Sequence, residues 1–147
     1  MMAEKEPTLP AFNCIMVFSP QRDKLLLCKR RKNPYKGLNN LVGGKIEPGE
    51  DGLTAAYREL WEETGLEQKD ITLRHMMDFT YYIGGPCRVE IYVGRLQAEK
   101  PVQGEENELF WSDLDKNFFD STVYAGEGNI GHMMELVHLY AKEILPD

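Results

Sequence analysis

The chain has 147 residues, of which 42% are apolar and 28% charged, and carries a formal net charge of −7. That length supports a core of its own and reads as one domain, 1–147. The acidic balance excludes a nucleic-acid polymer as main partner, since such binding draws on basic patches. A small phosphorylated ligand stays compatible if a cation mediates.

No run of the sequence approaches membrane-spanning length, and the start M-M-A-E-K-E-P-T-L-P lacks the apolar centre of a signal peptide. Cys14, Cys28 and Cys87 are odd in number and form no C-x-x-C pair, which fits a reducing cytoplasm and neither a disulfide framework nor zinc ligation. A homodimer is compatible with this composition.

In chain order, residues 1–10 read as a mobile leader. Ala11 to Ser19 (A-F-N-C-I-M-V-F-S) is rich in β-favouring apolar residues and predicts a buried strand. S-P-Q-R-D is turn chemistry, and Lys24 to Arg30 predicts a second strand that forms a hairpin with the first. The basic run Lys29 to Lys32 would ordinarily be a solvated face, but here it precedes a glycine-rich turn by one loop and could grip phosphates. N-P-Y-K-G is a loop. L-N-N-L-V then enters Gly43 and Gly44 as a short strand, the glycines allowing backbone to approach a ligand closely. From Leu53, the residues Leu53, Ala56, Tyr57, Leu60, Trp61 and Thr64 describe one apolar helical face, and Gly65 ends the helix. Ile71–Ile83 and Cys87–Leu96 flank G-G-P as a β-hairpin. Ala98–Glu108 is an acidic loop, Leu109–Trp111 a short strand, and Asp113–Gly128 irregular. From Asn129 the set Ile130, Met133, Met134, Val137, Ala141, Ile144 and Leu145 predicts a second amphipathic helix, its Met pair serving as core filler. His75, His132 and His138 are isolated and read as structural or solvated. Periodicity alone supports a mixed α+β class.

One feature of the first helix points to chemistry. Glu59, Glu62 and Glu63 lie at i, i+3 and i+4, outside the predicted apolar set, which makes an acidic stripe. Like charges one turn apart repel, and near a helix C-terminus they oppose the macrodipole. A hard divalent cation reverses both effects, because it takes oxygen ligands and keeps positions open for water and phosphate. Alone, such a stripe is most simply a solvated face. The surrounding residues change that: Gly44, Glu50, Arg58, Glu59, Leu60, Glu62, Glu63, Gly65 and Leu66 fill every fixed position of G-x5-E-x7-R-E-U-x-E-E-x-G-U, where U is a bulky apolar residue.

This pattern is the Nudix box, and the chain resembles the Nudix hydrolases. The run from F-S-P-Q-R-D to L-N-N-L-V-G-G-K resembles the MutT-like, oxidised-purine nucleoside triphosphatase branch. The resemblance implies an α/β/α sandwich, with a mixed sheet between the box helix and a C-terminal helix. It implies a pyrophosphohydrolase using Mg²⁺ (or Mn²⁺) on nucleoside triphosphates, oxidised purine forms included, to give a monophosphate and pyrophosphate. Glu59, Glu62, Glu63 and the backbone of Gly43 would hold metal, with Glu105 as a further ligand and Glu106 and Glu108 as rivals to it. Glu59 is favoured as general base, and Glu50–Arg58 as an ion pair locking loop to helix. Lys29 and Lys45 would face phosphates, and Asn39 would read the base. Leu38 stands where the branch has tryptophan, and the acidic pair that recognises oxidised purine has only Tyr124–Glu127 near its place. Two alternatives remain. One is a hydrolase of dinucleoside polyphosphates or nucleotide sugars, for which Tyr82 is the matching tyrosine. The other is a nucleotide sensor without turnover, which the three retained glutamates disfavour.

Overall fold

The computed structural model describes residues 9–146. The predicted leader lies outside the described residues up to position 8. The elements are β1 (Ala11–Phe18), β2 (Lys24–Lys29), β3 (Asn39–Asn40), β4 (Lys45–Ile46), α1 (Gly52–Thr64), β5 (Arg74–Tyr81), β6 (Cys87–Arg95), β7 (Glu108–Asp113), α2 (Asn129–Leu139) and α3 (Ala141–Ile144). The strands form one mixed sheet. β1 runs parallel to β6 along its whole length, from Ala11↔Arg88 to Phe18↔Arg95, while β5 and β6 form the antiparallel hairpin predicted around G-G-P.

The predicted β1–β2 hairpin exists only at its mouth, where Phe18 pairs with Leu25. Beyond it the strands splay. β2 turns to pair with β7 and β3, and β1 takes up β4 and the bridge Ile15↔Val42. The segment 41–46 therefore enters at the centre of the sheet. The glycine turn is built there, with strand backbone on both sides.

Alternation along the strands divides the core. Met16, Phe18, Leu25, Leu27, Ile91 and Val93 face α2, with Ile130, Met133 and Val137 packed on them. Ile15, Val17, Leu26, Cys28 and Tyr92 face α1, with Ala56 and Leu60. Helices cover both faces, which is the α/β/α sandwich expected.

Two helical expectations need correction. The C-terminal helix is not continuous: it breaks at Tyr140 (φ −113°) before the short α3, and Leu145 still returns to the core. The buried face of α1 is also rotated from the predicted one. Leu53 (40% exposed) and Trp61 (59%) point outward, while Ala55, Ala56, Leu60 and Thr64 are buried. The stripe against the sheet is Gly52, Ala55, Ala56, Glu59, Leu60, Glu63 and Thr64, spaced i, i+3, i+4, i+7, i+8, i+11, i+12. Small residues at its start let the helix approach closely, and indole at position 61 would not fit there. Two of the three glutamates thus belong to the packed stripe.

Candidate active site

Helix α1 is anchored at both ends. Asp51 caps its start, its carboxylate accepting from the Thr54 N–H at 3.2 Å. Gly65 ends it in the left-handed region (φ +81°), donating to the Trp61 carbonyl. Between them Arg58 acts as a hub. Its Nε and Nη2 bond the two Glu50 oxygens at 2.7 and 2.8 Å, and Nη2 also reaches the Lys45 carbonyl at 3.0 Å. Its Nη1 donates to Glu59 at 3.0 Å and Glu62 at 3.3 Å. The planar guanidinium holds loop, glycine turn and glutamates together and pulls the Glu50 carboxyl down to about 2. Arg58→Lys is expected to lower metal affinity and turnover by about 10–100-fold, as loss of an outer-shell contact commonly does, because an ammonium cannot span these partners. Manganese titration and steady-state kinetics check this.

The three glutamates stand in different surroundings. Glu63 accepts from the Gly43 N–H at 2.9 Å, and burial pushes its carboxyl up to about 7, with the Glu59 and Glu106 charges adding to the rise. Glu59 is also raised, chiefly by burial and against the pull of Arg58; its carboxylate lies where a Cβ on Gly44 would stand. Only glycine at 44 leaves room for it. Glu62 is 48% exposed. An all-oxygen donor set on one helical face, one carboxylate cradled on glycine backbone and another fixed by a backbone N–H, fits a hard divalent cation.

The three glutamates do not all bring an oxygen within 4.8 Å of one another. Among the described residues the tight cluster of ligand-type atoms is His75, Asp78 and Glu90, all within 4.8 Å of one another. There both Glu90 oxygens are already engaged, by the Tyr92 hydroxyl at 2.6 Å and by Arg88 at 3.0 Å. It is a closed polar network across the edge strand β5 and its neighbour β6.

A cavity of about 620 Å³ opens beside the glutamates on the α2 side of the sheet, a size usual for small-molecule sites. Gly43, Gly44 and Glu63 line one end. Phe79, Tyr81, Val89, Ile130 and Met133 form an apolar wall, and Asn40, Arg30 and Asn107 add polar groups. Across its mouth Tyr35 donates its hydroxyl to Glu127, 2.8 Å from each carboxylate oxygen. Both residues hold positive φ, +67° and +51°, a conformation uncommon for non-glycine residues.

The remaining predicted residues are placed as follows. Lys29 and Lys45 are exposed, and neither lines the cavity; Arg30, from the same basic run as Lys29, does. Asn39 does not line it either. Its backbone is paired with the 123–125 segment, and the wall asparagine is the next residue, Asn40. Glu105 is exposed in its loop, whereas the charge felt by both Glu59 and Glu63 is that of Glu106. Tyr82 is 76% exposed on the hairpin tip beyond Ile83. Sequence reasoning missed Asn13, Tyr35 and Asn40. Asn13 alone had a signal, being the one amide in an apolar strand.

The chain is similar to known proteins in sequence and in fold. The chain is 51% identical over 47 residues to an ADP-ribose pyrophosphatase of Methanocaldococcus jannaschii, covering 32% of this chain and 28% of that protein. It is 28% identical over 107 residues to the oxidised purine nucleoside triphosphate hydrolase of Mus musculus, covering 71% and 67%. It spans less than half the length of several of the curated relatives it matches. A C. elegans Ap4A hydrolase structure superposes with a TM-score of 0.74 at 20% identity, covering 90% of this chain and 98% of that one, which shows a shared fold. The model of the NUDIX domain matches residues 7–128, box included, and the chain therefore belongs to the Nudix hydrolase family.

Proposed function

We propose that the protein is a divalent-metal-dependent pyrophosphohydrolase of nucleoside triphosphates, oxidised purine forms included, yielding a nucleoside monophosphate and pyrophosphate. The observation that carries this reading is the continuity of the cavity: an apolar wall fit for a nucleobase runs directly into Gly43, Gly44 and Glu63. A nucleoside seated on Phe79 and Met133 would lay its phosphates toward the glutamates. Glu59, Glu62 and Glu63, with the Gly43 carbonyl, would hold Mg²⁺ or Mn²⁺, and Glu106 is better placed than Glu105 to assist. Bound there, the ion supplies charge neutralisation on the diphosphate and a more acidic water. Glu59, its carboxyl raised by burial, accepts the proton from the attacking water as general base. Arg58 keeps that carboxylate oriented, and Arg30 offers positive charge at the cavity edge.

A second reading, hydrolysis of dinucleoside polyphosphates, is supported by Ile83, which lines the cavity yet is largely exposed, and by the exposed Tyr82 next to it in sequence on the hairpin tip, where a second base could stack. A nucleotide panel with Mg²⁺ separates the two. Pyrophosphate release from triphosphates supports the first, and turnover confined to dinucleotides supports the second. Tight nucleotide binding without turnover would favour a sensor and end both. No helix among the described residues is long and apolar enough to cross a membrane.

The Tyr35–Glu127 contact joins the two lips of the cavity, so it should act on binding more than on chemistry. Tyr35→Phe is expected to raise KM about 3–10-fold with kcat nearly unchanged, the net size of one ordinary hydrogen bond. An unchanged KM would mean that the lips do not contact the nucleoside.

A further inference from the structure

Residue 13 breaks the pattern of its own strand. β1 is an apolar centre strand, yet Asn13 sits in it only 2% exposed. Its amide orientation is set by the Gly44 N–H, which donates to Oδ1 at 2.9 Å; the flipped amide would place two donors face to face. The Asn13 N–H in turn donates to the Gly44 carbonyl at 2.8 Å. One residue thus satisfies both backbone groups of Gly44.

In a regular antiparallel pair the return bond would go to the strand carbonyl. Here the side-chain oxygen takes it. The Asn13 carbonyl instead lies where a Cβ on Gly43 would stand, and Gly43 adopts φ +145°, open to glycine alone. Two consequences follow at the glutamates. The Gly43 N–H is turned to meet Glu63 Oε2, and the Gly44 backbone becomes the floor beneath the Glu59 carboxylate. Meanwhile Nδ2 of Asn13 is buried without a partner. An apolar side chain of similar size would fill the space without that unpaired donor, so the amide is explained by what its oxygen holds.

We infer that Asn13 is a positioning residue of the hydrolytic site: its Oδ1 holds the Gly43–Gly44 turn in the form that presents Glu59 and Glu63 to a divalent cation. The inference rests on the reading of those glutamates as cation ligands given above. It adds a residue outside the box, on β1.

The test compares Asn13→Leu, which removes the acceptor, with Asn13→Asp, which keeps it. Two readouts apply: hydrogen exchange of the Gly44 amide by NMR, and Mn²⁺ affinity by electron paramagnetic resonance. In the Leu variant Gly44 exchange is expected to rise at least about tenfold, and Mn²⁺ affinity to fall about tenfold or more, as outer-shell changes commonly cost. The Asp variant should keep Gly44 protected and bind Mn²⁺ at least as well as within threefold of the parent. A folded Leu variant with parental exchange and affinity overturns the inference. So does an Asp variant in which Gly44 loses protection, which decides the matter even if the Leu variant does not fold. A parent protein that binds no Mn²⁺ would instead sink the metal reading, while the exchange data still decide whether Asn13 holds the turn.

Discussion

Glu62→Gln is expected to lower turnover on the order of 10²–10³-fold while leaving the fold and its thermal midpoint nearly unchanged. The exposure of Glu62 makes this test clean. Its side chain is 48% exposed and its one ionic partner among the described residues is Arg58 at 3.3 Å, so the amide removes no packing and strands no buried charge. Substitutions at such positions typically move stability by less than about 0.5 kcal/mol. A large loss of activity must then come from loss of a cation ligand. Glu59→Gln should lose at least as much, but it lies in the packed stripe against Gly44 and also gives up an Arg58 contact, so its loss mixes several causes. Kinetics of both variants at saturating Mn²⁺, beside their melting curves, separate these contributions. Near-parental turnover in Glu62→Gln would remove the three-glutamate site.

The box and the elements around it were legible because each is local, whereas the layer order came only with the family resemblance. Glycine at φ +81° ending α1, the arginine fork on Glu50 and the alternation of β1 and β2 all depend on residues close in sequence or on strict periodicity. What was not legible came from long-range placement. The apolar count on α1 favoured Leu53 and Trp61, but the helix had to come close enough to the sheet for Glu59 and Glu63 to meet the glycine turn, and Ala55 and Ala56 permit that approach. Neighbouring asparagines 39 and 40 cannot be told apart by composition. Pairing of Asn39 with the 123–125 segment decides which one reaches the cavity, and that contact spans more than eighty positions. Likewise Glu105, Glu106 and Glu108 compete within one acidic loop, and only the path of that loop brings the Glu106 charge to the glutamates. Asn13 is the instructive case. An amide in the middle of A-F-N-C-I-M-V-F is visible in the sequence as an exception, but its reason is a glycine thirty positions later.

Metal affinity is expected to rise steeply with pH and then level off near pH 7 to 8, with Glu63 as the titrating group. Burial raises its carboxyl to about 7, with the Glu59 and Glu106 charges adding to the rise and the Gly43 N–H and the Arg30 charge opposing it. Cys14 and Cys28, the thiols nearest in charge terms, are pushed far upward by burial and stay protonated throughout. A cation and a proton compete for the same carboxylate, so below about pH 7 the Mn²⁺ dissociation constant should weaken about tenfold per pH unit where one proton is displaced. The metal-free protein should show the opposite trend in stability. An acid whose carboxyl is raised in the folded state holds more protons folded than unfolded, so its contribution is present below about 4.5 and is lost as pH rises toward 7. Glu50, Asp70 and Asp113 do not confuse that window, because their carboxyls are lowered and their contributions are already complete at its lower edge. Between pH 5 and 7 the metal-free melting point should therefore drift down while the gain from added Mn²⁺ grows. In Glu63→Gln both slopes should flatten together. If the slopes persist in that variant, the proton that opposes the metal sits on another group, and Glu59 becomes the residue to examine.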